Sequence, residues 1–167
     1  MARASSPASE PQSSVLAAWV GQPHPDVDVM YATDALHTAL TGADHVVICA
    51  PLTRATWHLI DACAIAAMKP GATLVNIGRG GVVDEQALAS ALISGHISCA
   101  LLDVFEQEPL PPQAPAWTLP NTVITPHCSS DDAVDYVPRT LDLIFANLDK
   151  MVAGQELLAR VDPVLEY

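Results

Sequence analysis

Basic residues are scarce in this chain: seven Lys and Arg stand against nineteen Asp and Glu in 167 residues, a formal net charge of −12. A surface of that sign repels a phosphate backbone or an anionic bilayer, so neither nucleic acid nor membrane is expected as a partner. Any anion the chain binds must be held by a local cluster of donors. No apolar run approaches the ~20 residues that span a bilayer. The opening MARASSPASEPQSS lacks the hydrophobic core of an export signal, which points to a cytoplasmic protein. Cys49, Cys63, Cys99 and Cys128 form no CxxC pair and no metal-ligand spacing, so they read as residues of a reducing compartment and no metal site is expected. The six histidines are scattered, and there are no internal repeats.

What is present is enough for a real core. Half of the residues are hydrophobic, and a chain of this length buries ~70% of its unfolded surface. Residues 1–26 are rich in Ser, Pro and Ala and read as an irregular leader, with one helical turn expected at VLAAWV. From Val27 a regular pattern begins. Short β-rich runs occur at VDVMY (27–31), HVVICA (45–50), TLVNI (73–77), CALLDV (99–104) and NTVIT (121–125). Helical stretches lie between most of them: DALHTALTGA, DACAIAAM and DEQALASALISG. Asp34, Asp61 and Asp84 stand where N-caps belong, and Lys69-Pro70-Gly71 and Gly95 act as stops. Near-continuous apolar strands alternating with helices of about ten residues predict a parallel sheet covered on both faces. A long helix is expected from about Asp131 to Val152, with Val134, Val137, Leu141, Ile144, Phe145 and Leu148 on one stripe. Pro138 within it predicts a kink or a late start.

In open α/β sheets, ligands bind beyond the carboxyl ends of the strands. After HVVICA comes Pro51-Leu52-Thr53; after TLVNI come Gly78, Arg79 and Gly80; CALLDV ends at Asp103, with Glu106 and Glu108 following; NTVIT is followed by Pro126-His127. An arginine can grip a carboxylate through two parallel hydrogen bonds. A histidine can exchange a proton near neutral pH, and a neighbouring carboxylate raises its pKa and fixes its tautomer. Together they suit interconversion of a hydroxyl and a carbonyl beside a carboxylate, provided something else carries the hydride. Each residue also has a plainer reading. Arg79 fits a solvated surface loop, His127 a turn with a solvated ring, and Thr53, Thr56 and Ser129 ordinary turn and cap positions. Glu106 reads as part of a solvated acidic loop, and His45, His58 and His96 as capping or solvent-facing residues. Asp103 is harder to dismiss, because a carboxylate inside an apolar strand needs donors.

The segments ADHVVICAPLTRAT, MKPGATLVNIGRGGVVDEQALASAL, ALLDVFEQEPLP and LPNTVITPH resemble, in order and spacing, the D-isomer-specific 2-hydroxyacid dehydrogenases from about Val27 to Val152; the tail VDPVLEY resembles the family's ending. The resemblance implies a partial Rossmann-like, doubly wound parallel sheet with a long C-terminal helix. It divides the chain into a leader (1–26), a partial dinucleotide-binding domain (27–152) and a C-terminal tail (153–167). It implies that Arg79 binds the substrate carboxylate and carbonyl, that His127 is the acid/base, and that Glu108 pairs with His127. Asp103 would contact the nicotinamide carboxamide, and Pro51, Leu52, Thr53, Ile77 and Gly78 would form the wall of the cofactor site. Formate dehydrogenases carry glutamine where this chain has Glu108, which argues against that branch. NAD or NADP is the implied cofactor and a 2-oxo or 2-hydroxy acid the implied substrate. The departure is equally plain: the eight glycines form no GxGxxG, and no ribose-reading residue is identifiable, with Arg3 as its only candidate remnant. The chain resembles the C-terminal part of a dehydrogenase, with a sheet edge left unpaired where a first strand would insert. Weak or absent turnover alone is therefore expected, and so is a homo-oligomer or a complementing chain. The alternative is a non-catalytic remnant or interaction subunit.

Overall fold

The computed structural model describes residues 16–18, 27–132 and 134–164. Strands and helices alternate as β1 (Leu16–Ala18), β2 (Val29–Tyr31), α1 (Leu36–Gly42), β3 (His45–Ile48), α2 (Ala62–Ala67), β4 (Ala72–Asn76), α3 (Glu85–Ser94), β5 (Ile97–Leu102), β6 (Thr122–Ile124) and α4 (Tyr136–Val152). All pairings are parallel: β1 with β2 in one small sheet, and β3-β4-β5-β6 in order in the main one. Each strand expected from Val27 onward is present. Leu16–Ala18 is a strand where the sequence reading expects a helical turn; so short an apolar run has no decisive period, and pairing with Val29–Tyr31 decides it. Arg3 lies outside the described residues.

Two of the three expected caps form. Asp61 accepts a hydrogen bond from the Ala64 N–H at 2.8 Å, and Asp84 accepts from the Gln86 and Ala87 N–H groups at 3.0 and 2.9 Å. Asp34 does not cap α1. It lies inside a 3-10 turn, Thr33–Ala35, that feeds the helix directly, so no side chain is needed there. Gly95 closes α3 in the left-handed conformation. The last helix starts later than Asp131: Asp132 accepts from the Val134 and Asp135 N–H groups in a separate turn, and α4 begins at Tyr136. Pro138 then falls in the first turn, where its missing N–H has no intrahelical partner to lose.

The two faces of the main sheet differ. Register places Ile48, Asn76, Leu102 and Ile124 in one row, with Val46, Leu74, Ala100 and Thr122 in the next row on that face. Leu40 of α1, Ala64 and Ile65 of α2, and Leu88, Ala91 and Leu92 of α3 join this face in a single core. On the opposite face Val47, Val75, Leu101 and Val123 form a row across all four strands, and three of them stay 39–56% exposed. The Rossmann-like parallel sheet is the one expected; among the described residues, three of the four side chains of this row are exposed. The strands are apolar on both sides, as a doubly covered sheet requires. The α4 stripe is also exposed, from Val137 through Leu141, Ile144 and Phe145 to Leu148.

Candidate active site

The carboxyl ends of β3, β4, β5 and β6 deliver four loops to one edge, and side chains at the strand ends shape them. Asn76, fully buried as the last residue of β4, closes the first loop: its Oδ1 accepts from the Gly78 N–H and its Nδ2 donates to the Arg79 carbonyl, both at 3.1 Å. The exposed Arg79 then donates from a guanidinium nitrogen to the Gly78 carbonyl at 2.7 Å. The turn is packed backbone to backbone against its neighbour. A Cβ on Gly80 would lie 1.8 Å from the Phe105 carbonyl carbon and 2.3 Å from the Glu106 nitrogen, so only glycine fits.

After β5, Asp103 is 3% exposed. It accepts hydrogen bonds from the Thr125 hydroxyl, the Cys128 N–H (2.9 Å) and the Ser129 N–H (2.8 Å). These donors lie on both sides of His127, so one buried carboxylate fixes the loop that carries the histidine. Burial alone would raise the Asp103 pKa; the donors outweigh it and hold the carboxyl far below the ordinary range. His127 itself sits at φ +53°, a left-handed conformation uncommon outside glycine. Its Nδ1 lies 2.6 Å from Glu108 Oε2, while Glu108 Oε1 accepts from the Phe105 N–H at 2.8 Å. Burial works to raise the Glu108 pKa, but the bonds from His127 and Phe105 and the charges of His127 and Arg79 hold it below the usual range. Arg79 and His127 therefore both stand within electrostatic reach of Glu108.

The remaining sequence-predicted residues line the same edge. Leu52 and Ile77 are exposed, and Gly78 packs on the Ala50 backbone. Thr53 is buried: its N–H donates to the Thr56 hydroxyl at 2.7 Å, and its own hydroxyl accepts from the Thr56 N–H at 3.2 Å. The Thr53 hydroxyl serves its own turn, while Pro51 and Leu52 are exposed beside it. Leu52, Thr53, Arg54 and Trp57 line an open cavity of about 590 Å³. Sequence reasoning missed three members of this region. Asn76 offered a signal, a polar residue ending an apolar strand. His58 and Glu106, which pair at 3.0 Å, offered none, because the contact joins residues 48 apart. Among the described residues no three His, Cys, Asp or Glu side chains gather as metal ligands, and no helix is long and apolar enough to cross a membrane.

Residues 14–129 match the family described as D-isomer specific 2-hydroxyacid dehydrogenase, NAD binding domain, a match that begins ahead of the Val27 at which the motif resemblance starts. A glyoxylate/hydroxypyruvate reductase B from Pectobacterium atrosepticum is 53% identical over 120 residues, covering 70% of this chain and 38% of that one. Among solved structures, a D-isomer specific 2-hydroxyacid dehydrogenase from Xanthobacter autotrophicus Py2, in complex with NADPH and MES, is 39% identical with a TM-score of 0.82, covering 91% of this chain and 61% of that one. An NADPH-dependent glyoxylate/hydroxypyruvate reductase from Sinorhizobium meliloti, in complex with NADP and sulfate, is 28% identical with a TM-score of 0.81, covering 91% and 48%. The chain spans less than half the length of the curated relatives it matches.

Proposed function

Because the chain belongs to the D-isomer specific 2-hydroxyacid dehydrogenase family, we propose that it serves the NAD(P)-dependent interconversion of a 2-oxo acid and a 2-hydroxy acid in the cytoplasm. The observation that carries this reading is the 2.6 Å His127–Glu108 pair with Arg79 close enough to act on the same carboxylate. In the reductive direction, Arg79 binds the substrate carboxylate and polarises the adjacent carbonyl. With Nδ1 of His127 donating to Glu108, Nε2 of the imidazolium is left to give its proton to the carbonyl oxygen. Glu108 fixes the ring through Nδ1, and Asp103 keeps the ring's loop in place. A bound NAD(P)H supplies the hydride. We assign the wall at its nicotinamide end to Pro51, Leu52 and Thr53 with backbone at Ile77 and Gly78, and the carboxamide contact to Asp103. The relatives named glyoxylate/hydroxypyruvate reductases make short 2-oxo acids the first substrates to try.

The 167 residues contain no GxGxxG to cradle a pyrophosphate. Weak cofactor binding and slow turnover are therefore proposed for this chain by itself, together with association with a second copy or a complementing chain. Calorimetric titration with NADH and NADPH, then with oxamate in their presence, tests the reading. Binding of oxamate that weakens at least ~10-fold in Arg79→Lys supports it, since a point charge does not replace the two-pronged guanidinium. Equal binding by the variant removes the assigned role of Arg79.

A further inference from the structure

The loop that carries Glu108 is held by a second His–carboxylate pair that the proposed reaction does not use. Glu106 Oε1 lies 3.0 Å from His58 Nε2, and the Glu106 N–H donates to Glu85 Oε1 at 2.7 Å. Glu85 is the first residue of α3, which starts just beyond the Arg79 turn. The His58 N–H donates to the Gly81 carbonyl at 2.8 Å. The Trp57 indole stacks on the His58 ring with centroids 4.6 Å apart, and it also lies over Gly81. Contacts therefore close a ring from Gly80 through Phe105 and Glu106 to His58 and back to Gly81. Two residues along from Glu106, Glu108 reaches His127.

Stability does not account for this pair. Both side chains are about one-third exposed, 33% and 32%, where ion pairs contribute little. His58 is moreover held at φ +50°, a left-handed conformation that glycine would adopt without strain. We infer that Glu106, gripped by His58 and Glu85, is a positioning residue that sets Glu108, and through it His127, opposite Arg79. The inference rests on reading Arg79, Glu108 and His127 as the working groups. Glu85 is the charged neighbour bonded to Glu106, and the charges of Glu106, Glu108 and His58 all act on it. Burial and the charges of Glu106 and Glu108 raise the Glu85 pKa, against its bond from the Glu106 N–H and the charge of His58.

The test is an NMR titration of the His127 imidazole in the whole chain, for the parent and for His58→Gln, Glu106→Gln and Glu108→Gln. The sign in His58→Gln separates two explanations. If His58 acts only as a nearby positive charge, its loss lets His127 hold its proton to higher pH. If it positions Glu108, its loss loosens the Glu108–His127 bond, and the midpoint falls by about half a pH unit. We expect the fall, with Glu106→Gln moving the same way. An unmoved or raised midpoint in His58→Gln, alongside a lowered one in Glu108→Gln, overturns the inference and leaves the proposed function standing. No change in Glu108→Gln overturns both. Should His58→Gln misfold, His58→Gly removes the imidazole while suiting the backbone, and the same sign decides.

Discussion

Asp103 has one carboxylate and three donors to answer, and each donor belongs to the segment around His127. Its folded pKa is depressed, so its contribution is complete above the unfolded value of about 3.9 and is lost as pH falls through that value toward the folded one. Asp103→Asn keeps the shape but turns one acceptor oxygen into a donor facing other donors. A loss of about 2–3 kcal/mol at pH 7 is expected from urea unfolding. The difference from the parent should shrink below about pH 4, where the unfolded parent's Asp103 carboxyl takes up a proton that the folded one does not. A difference that stays constant down to pH 2.5 would show that the carboxylate form is not what holds the loop. At this scale the sequence was partly legible. Asp103, Arg79, Glu108 and His127 could be picked out because chemistry-bearing residues at strand ends converge whatever the loops do. Asn76, His58 and Glu106 could not, since their worth depends on which loops touch, and that is decided by packing such as the contact between Gly80 and Phe105.

Elements were read more securely where a local signal and a tertiary demand agreed. Asp84 shows the agreement: it caps the α3 that runs beside β5, and its side chain satisfies two N–H groups. Asp84→Ala should cost about 1 kcal/mol, a fall of about 3 °C in melting temperature for a chain of this size, measurable by circular dichroism. A fall below 1 °C would mean that water or the preceding turn satisfies those donors equally well. Asp34 carries the same sequence signal yet makes no cap, because the 3-10 turn ahead of α1 already supplies its first hydrogen bonds. The start of α4 was misplaced for a related reason. Asp132 is a good cap residue and does cap, but it caps a turn rather than the helix, and Pro138 delays the regular structure to Tyr136.

For the molecule as a whole, two apolar surfaces oppose a large charge. One is the row of Val47, Val75, Leu101 and Val123 across one sheet face; the other is the α4 stripe around Leu141, Ile144 and Phe145. Monomeric proteins rarely show contiguous apolar patches larger than a few hundred Å², so these surfaces favour self-association, as does the edge of β3, which pairs with no other strand among the described residues. The net charge of −12 opposes it, because each copy repels the next. Salt separates the two effects. Raising ionic strength from 0.01 M to 0.15 M shortens the screening length from about 30 Å to about 8 Å, which removes most of the repulsion and leaves the apolar attraction intact. Sedimentation velocity should therefore show association that strengthens with salt. In the double variant Leu141→Glu, Phe145→Glu it should weaken, with little change in melting temperature because both side chains are exposed. Association that weakens with salt would instead identify ion pairs between copies as its cause and leave the apolar surfaces without a role in it.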